Sequence, residues 1–300
     1  MNGVLVIDKP ADYTSFDVVA VVRRLAGREK TGHTGTLDPM ATGVLPILLG
    51  RATRAASLLE DTSKEYEASF ALGCVTDTQD STGAVLARSE KRAARAALEA
   101  VLPRFRGEIL QLPPMYSAVR KDGKKLYELA RQGMTVEREK RPVTIETLVC
   151  TRFDEETQTG ALTVRCSKGT YIRTLCADIG EALGTYGVMT ALRRTAACGF
   201  TLADACPLDE ARALAEAGRL EERVLPVERL FLSRPALRVS EAQARRFGNG
   251  GGLDLGRTAL ARNAPADGAV FRVCTQEGAF LGLGQADAAA NELKVLKLFC

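Results

Sequence analysis

The chain has 300 residues, 46% of them hydrophobic, and a formal net charge of only +4. That length is long for one domain and comfortable for two, and the apolar share is enough for a real core. No window approaches the roughly 20 apolar residues of a membrane span, and the apolar run Val4–Ile7 is too short for a signal peptide.

The first element expected is a short buried strand at Val4–Ile7, ended by Asp8 and Lys9. Ser15 can cap a helix whose apolar positions Val18, Val19, Val22 and Leu25 recur at helical spacing, with Gly27 placed to end it. A glycine-bearing loop follows, then the apolar run Val44–Leu49, broken only by Pro46. Arg51–Glu60 reads as a second helix. Glu65–Leu72 alternates, with Tyr66, Ala68, Phe70 and Leu72 on one face, and reads as a half-buried strand. Ser89–Leu102 reads as an Ala-rich helix and Lys124–Gln132 as a shorter one. Residues 142–153 and 161–167 read as paired strands, Thr170–Leu183 as a helix ended by Gly184, and Pro207–Ala217 as another helix. Strands and helices interleave without a strict βαβ repeat, so the expected class is α+β with a mixed sheet and flanking helices. Composition shifts near residue 230. A short helix, a Gly-rich turn and strands near Ala269–Cys274, Ala279–Gly284 and Leu293–Phe299 then suggest a small β-rich module.

Eight cysteines are scattered with no CxxC pair, and there is one histidine, so a Cys/His zinc site is disfavoured and no metal is expected. Buried free thiols in a reducing cytoplasm fit this usage, and the expected location is cytoplasmic. Residues 117–142 carry eight Lys/Arg against four acids, a surplus equal to that of the whole chain. Such a surface suits a polyphosphate backbone, or is an ordinary solvated face.

The loop GHTGTLDPMATGVLPI, residues 32–47, concentrates the chemistry. It holds the only histidine, His33, and a carboxylate, Asp38, beside Pro39. Gly32 and Gly35 allow backbone conformations closed to other residues, and Pro39 turns Asp38 away from helical geometry. On composition alone this is a turn. The Walker spacing of a phosphate cradle is missing, and no G-x-S-x-G elbow accompanies His33 as a hydrolase base.

The order of residues is more specific. GHTGTLDPMATGVLPI closely resembles the catalytic motif of the TruB family, the bacterial tRNA pseudouridine-55 synthases. GVLVIDKPADYTSFDVV (3–19), KEYEASFALGCVTDTQDSTG (64–83), PPMYSAVRKDGKKLYELARQG (113–133), CSKGTYIRTLCADIGEALG (166–184) and LRRTAACGF (192–200) resemble five further family blocks, in family order. The C-terminal module more loosely resembles a PUA-like RNA-binding domain. The resemblance implies a pseudouridine synthase catalytic domain over 1–230 and a PUA-like domain over 235–300.

It also implies an activity: isomerisation of uridine to pseudouridine at position 55 in the T loop of tRNA, with no cofactor. The C1′–N1 bond must break and the uracil rejoin through C5, which calls for a nucleophilic or charge-stabilising carboxylate attacking C1′ or C6. The resemblance assigns that role to Asp38, with Arg173 as the cation that keeps it ionised away from water. It assigns Tyr66 as the aromatic face for the flipped base and an aid to proton transfer, and Leu192 as the packing residue on the other side. His33 would either cap its turn or contact the RNA near the flipped bases. Asp80, Lys121 and Lys125 are further candidates for RNA contact, and Lys9 and Pro10 for support of the site from behind. The expected partner is the T-arm stem-loop of tRNA, bound by a monomer without guide RNA or membrane. The alternative reading is a non-catalytic RNA-binding protein on the same scaffold, which would have no use for a buried Asp–Arg pair.

Overall fold

A computed structural model describes residues 1–59 and 61–300. Among the described residues an eleven-stranded mixed sheet forms the body. Its main path runs Cys206–Pro207, Gly3–Lys9, Thr42–Leu49, Gly187–Ala197, Lys64–Leu72, Thr159–Cys166, Arg141–Asp154 and Gly107–Gln111. Two pairings are parallel, Gly3–Lys9 with Cys206–Pro207 and Thr42–Leu49 with Gly187–Ala197, and the other pairings along this path are antiparallel. This is the mixed sheet expected from the interleaved pattern.

Strand Gly3–Lys9 is buried on both faces. Leu5 and Ile7 join the large core, while Val4 and Val6 join a second core behind the sheet. The large core lies under helices α1 (Ser15–Leu25), α2 (Arg95–Val101), α4 (Ile172–Leu183) and α5 (Leu208–Glu216), and the short α3 (Leu126–Ala130) lies outside it. In strand Lys64–Leu72 the residues Tyr66, Ala68, Phe70 and Leu72 all point into this core, as the alternation requires.

Several local expectations need correction. The cap of α1 is Thr14, closing a capping box with Asp17, and Ser15 is already helical. Gly27 does adopt a positive φ of 73° just past the helix. The helix expected over Ser89–Leu102 shrinks to Arg95–Val101, because Gln158 bonds both the N–H and the carbonyl of Ala93 and holds that segment out of helical geometry. The expected helix Arg51–Glu60 is a 3-10 turn over Gly50–Ala55, and Glu60 lies outside the described residues. Gly32 and Gly35 do not use a left-handed backbone; Gly43 does, at φ +104°, where a Cβ would lie 2.2 Å from the carbonyl oxygen of Arg194.

α4 meets the sheet at a glycine pair. A Cβ on Gly180 would lie 2.3 Å from the backbone nitrogen of Gly187, so only glycine lets the helix rest on that strand. This seats the first turn of α4, and Arg173 with it. Asp178, five residues on, is half-buried, and burial first, then Glu181, pushes its carboxyl up to about 6 against the pull of Lys140. A carboxyl raised on folding contributes stability that is complete below its ordinary range, near pH 4, and is lost as pH rises through about 6. Asp178→Asn should therefore raise stability at about pH 8 by on the order of 1–2 kcal/mol, read as a higher thermal midpoint, and leave it unchanged near pH 4. Melts across that range check this, and a difference independent of pH would refute it.

The C-terminal segment forms its own five-stranded sheet, ordered Ala236–Arg238, Val270–Cys274, Phe280–Asp287, Glu292–Leu298 and Leu253–Asp254, with helix α6 (Glu241–Gly248) and a separate core around Leu237, Phe247, Val273 and Leu293. It joins the body through Phe231, Phe280 and Phe299, whose rings lie 5.6–6.2 Å apart. All eight cysteines are free thiols, and six of them are buried. Among the described residues no helix is long and apolar enough to cross a membrane.

Candidate active site

The site forms on the helix-covered face of the sheet, where the loop carrying Asp38 meets Arg173 from the first turn of α4. The Arg173 guanidinium donates from Nε to Asp38 Oδ2 at 2.9 Å and from Nη2 to Asp38 Oδ1 at 3.2 Å. Its remaining donors go to the carbonyls of Thr78, at 2.9 Å, and Tyr116, at 2.8 Å. This is a two-pronged clamp on one carboxylate, with all three guanidinium nitrogens engaged. Arg173 is 5% exposed and Asp38 34%, so the cation is sealed inside while the carboxylate keeps an open edge.

Asp80 was expected to contact RNA, but it is turned inward. Its Oδ2 lies 3.8 Å from Arg173 Nε, and its Oδ1 accepts from both hydroxyls of Thr78 and Thr82 and from the Thr82 N–H. With 8% exposure it is a second counter-charge to Arg173, not a surface group.

Four separate anchors hold the Asp38 loop. Lys9, fully buried, donates from Nζ to the carbonyls of Pro10, Tyr13 and Pro39 at 2.8, 2.6 and 3.0 Å. Burial pulls its pKa down to about 8, although Asp12 and Asp38 oppose this. The Ser15 hydroxyl donates to the Leu37 carbonyl and accepts its N–H. Asp12 N–H donates to the Pro39 carbonyl. Arg194, at 0% exposure, donates to the carbonyls of Val44, Gly35 and Thr36 at 2.7, 3.1 and 3.4 Å. Sequence reasoning overlooked Ser15 and Arg194 in this role. The signal for Arg194 was available: two successive arginines on a strand must point to opposite faces, so one of Arg193 and Arg194 had to face the core. Arg193 is the outward one and pairs with Asp8 at 2.8 Å.

Tyr66 is buried beside Arg194, and burial pushes its phenol up to about 12 in spite of that cation. Asp38 is close enough to act on it electrostatically. At neutral pH the hydroxyl is therefore protonated and serves as a donor rather than a base. Leu192, paired in register with Ala68, is buried in the large core with Tyr66. His33 accepts the Gly35 N–H at Nδ1 and meets the edge of the exposed Phe16 ring at 5.5 Å. Burial, then Arg194 and Lys64, lower its pKa, so it stands neutral with Nε2 carrying the proton.

Lys121 and Lys125 lie on a small ribbon outside the sheet. Lys121 donates to the Glu137 carbonyl, and Lys125 donates to the Tyr127 hydroxyl. Their segment touches the carboxylate clamp only through the Tyr116 carbonyl.

The fold thus brings together a partly open carboxylate, the buried arginine that clamps it and a buried tyrosine, on one mixed sheet. The profile described as TruB family pseudouridylate synthase, N-terminal domain, matches residues 23–172. Those described as tRNA pseudouridylate synthase B C-terminal domain and pseudouridine synthase II TruB, C-terminal, match 173–232 and 235–298. The chain belongs to the TruB family. Similar relatives include the tRNA pseudouridine synthase B of Pseudomonas fluorescens strain Pf-5, 46% identical over 95% of this chain and 92% of that one. Another is that of Geobacillus thermodenitrificans, 43% identical over the full length of both. Among solved structures, a Cbf5–Nop10–Gar1 complex superposes with a TM-score of 0.74 at 25% identity, over 99% of this chain and 85% of that one.

Proposed function

We propose that this protein isomerises uridine to pseudouridine at position 55 in the T loop of tRNA, with Asp38 as the nucleophile. The observation that carries the reading is the Arg173 clamp, which holds a charged carboxylate in place while leaving its edge open to a base. An ionised carboxylate with its counter-charge sealed behind it can attack C1′ or C6 of a flipped uridine. The C1′–N1 bond then breaks, the uracil turns and C5 joins C1′; the bond to Asp38 breaks as the carboxylate is displaced, the C5 proton leaves, and N1, which had carried the sugar, gains a proton. The reaction is redox-neutral and balances without a cofactor.

Tyr66 offers a ring face to the uracil, and its protonated hydroxyl can donate to it. Leu192, in the same core as Tyr66, packs the other side. His33 and Phe16 form an aromatic step at the entrance, suited to the bases displaced when the uridine flips. Residues 1–230 act as the catalytic domain, and residues 235–300, with their separate sheet and core, as a PUA-like RNA-binding module. The enzyme acts on bare tRNA without a guide, a reading supported by full-length relatives named tRNA pseudouridine synthase B.

Unmodified tRNA transcript labelled with tritium at uracil C5 tests this. Release of tritium from the U55 transcript, and none when C replaces U55, is the expected result. Tight binding without release would indicate an RNA-binding protein or a missing guide.

A further inference from the structure

Lys64 opens strand Lys64–Leu72, two residues before Tyr66 and therefore on the same face of the sheet. Alternate residues on a strand are about 6.6 Å apart. Its ammonium reaches the loop that carries Asp38. A Cβ on Gly35 would lie 3.0 Å from Lys64 Nζ and 3.8 Å from Arg194 Nη1. Gly35 thus serves by leaving room for two cations, not by its backbone conformation.

Among the described residues Lys64 makes no ion pair within 4.0 Å and none of the side-chain hydrogen bonds. Burial lowers its pKa first, and the Arg194 cation lowers it further. Asp61, three residues back, is exposed, and its Oδ1 accepts from the Ser63 N–H and hydroxyl. Arg194 is satisfied by carbonyls, so it adds positive potential without neutralising anything. His33, at the other side of Gly35, is also held neutral in part by this field. Three basic groups therefore surround one end of the site, and one of them is a half-buried ammonium with unused donors. Isolated desolvated charge is unfavourable in a fold unless a ligand completes it.

We propose that Lys64, over Gly35 and backed by Arg194, binds a backbone phosphate of the RNA strand next to the flipped uridine. The placement suits that ligand. The base lies against Tyr66, and the step from Tyr66 to Lys64 along the strand is of the same order as the step from a nucleobase to its own phosphate. Lys168, exposed at the rim, extends the positive field towards solvent. The assignment rests on the RNA-modifying reading above and names a contact within it.

The test measures binding of a T-arm stem-loop by wild type, Lys64→Gln and Lys64→Arg across a salt series. Loss of one phosphate contact should flatten the slope of log Kd against log salt by about 0.7–0.9 in Lys64→Gln, with affinity down roughly tenfold at low salt. Lys64→Arg should keep most of both. RNAs carrying single methylphosphonates should then identify one linkage beside the target uridine whose neutralisation weakens wild type and leaves Lys64→Gln unaffected. The thermal midpoint of Lys64→Gln should equal or exceed that of wild type, since an unpaired cation is removed. An unchanged slope, with wild type and Lys64→Gln equally sensitive at every linkage, overturns the assignment. So does a lowered midpoint with an unchanged slope, which would make Lys64 structural. Failure of wild type itself to bind the stem-loop would instead overturn the function on which the assignment depends.

Discussion

Asp38→Asn should abolish isomerisation, by on the order of 10,000-fold or more, while leaving RNA affinity within about twofold. The substitution keeps the shape of the side chain and removes its charge and nucleophilicity. The loop should stay in place, because its anchors do not pass through the Asp38 side chain. Lys9 holds the Pro39 carbonyl, Ser15 holds both polar groups of Leu37, and Arg194 holds the Gly35 and Thr36 carbonyls. Arg173 would still donate to the carbonyls of Thr78 and Tyr116 and would keep Asp80 as counter-charge at 3.8 Å. The fold should therefore lose no more than about 1–2 kcal/mol. Tritium release, a binding isotherm and a melting curve on the same preparation check the three parts. Activity within a hundredfold of wild type would exclude Asp38 as the nucleophile. Equal loss of binding and activity would make it a recognition residue instead.

Elements set by local pattern were legible in the chain. Strand Lys64–Leu72 follows from its period of two, and α4 from its apolar spacing and from Gly184, which adopts φ +68° as the cap requires. The misreadings have one physical origin, which is that a distant partner decided a local choice. Gln158 takes the backbone of Ala93 from 65 residues away and shortens α2. Leu37 takes the Ser15 hydroxyl from 22 residues away, which leaves capping to Thr14. The site depends even more on long range. Arg173 meets Asp38 across 135 residues, and Arg194 meets Gly35 across 159. No periodicity reports such contacts. The Asp38–Arg173 pair was accessible only through resemblance of whole blocks. Arg194, which the resemblance did not single out, was marked only as one of two adjacent arginines, and the register that sets it beside Tyr66 shows which one faces the core. Asp80, named from the chain only as a candidate for RNA contact, is buried 3.8 Å from the Arg173 guanidinium, a placement no local pattern reports.

Replacing Arg173 should separate charge from geometry. Arg173→Met leaves Asp38 and Asp80 around one site with no cation between them, and leaves the Thr78 and Tyr116 carbonyls without their donor. Breaking a buried ion pair by removing one partner costs about 3–5 kcal/mol, so this variant should melt far below wild type and lose at least about a thousandfold in rate. Arg173→Lys keeps the charge, but a single ammonium cannot reach both oxygens of Asp38 and two carbonyls on opposite sides. It should lose on the order of 1–2 kcal/mol of stability and about a hundredfold in rate, with the carboxylate present but no longer aimed. The double variant Arg173→Met, Asp80→Asn is the decisive comparison. Removing the second carboxylate takes away much of the uncompensated charge, so stability should recover relative to Arg173→Met while activity stays lost. If activity recovered in step with stability, Arg173 would be a scaffold residue alone. If Arg173→Lys matched wild type in rate, the two-pronged geometry would be incidental, and positive charge near Asp38 would be all the reaction requires.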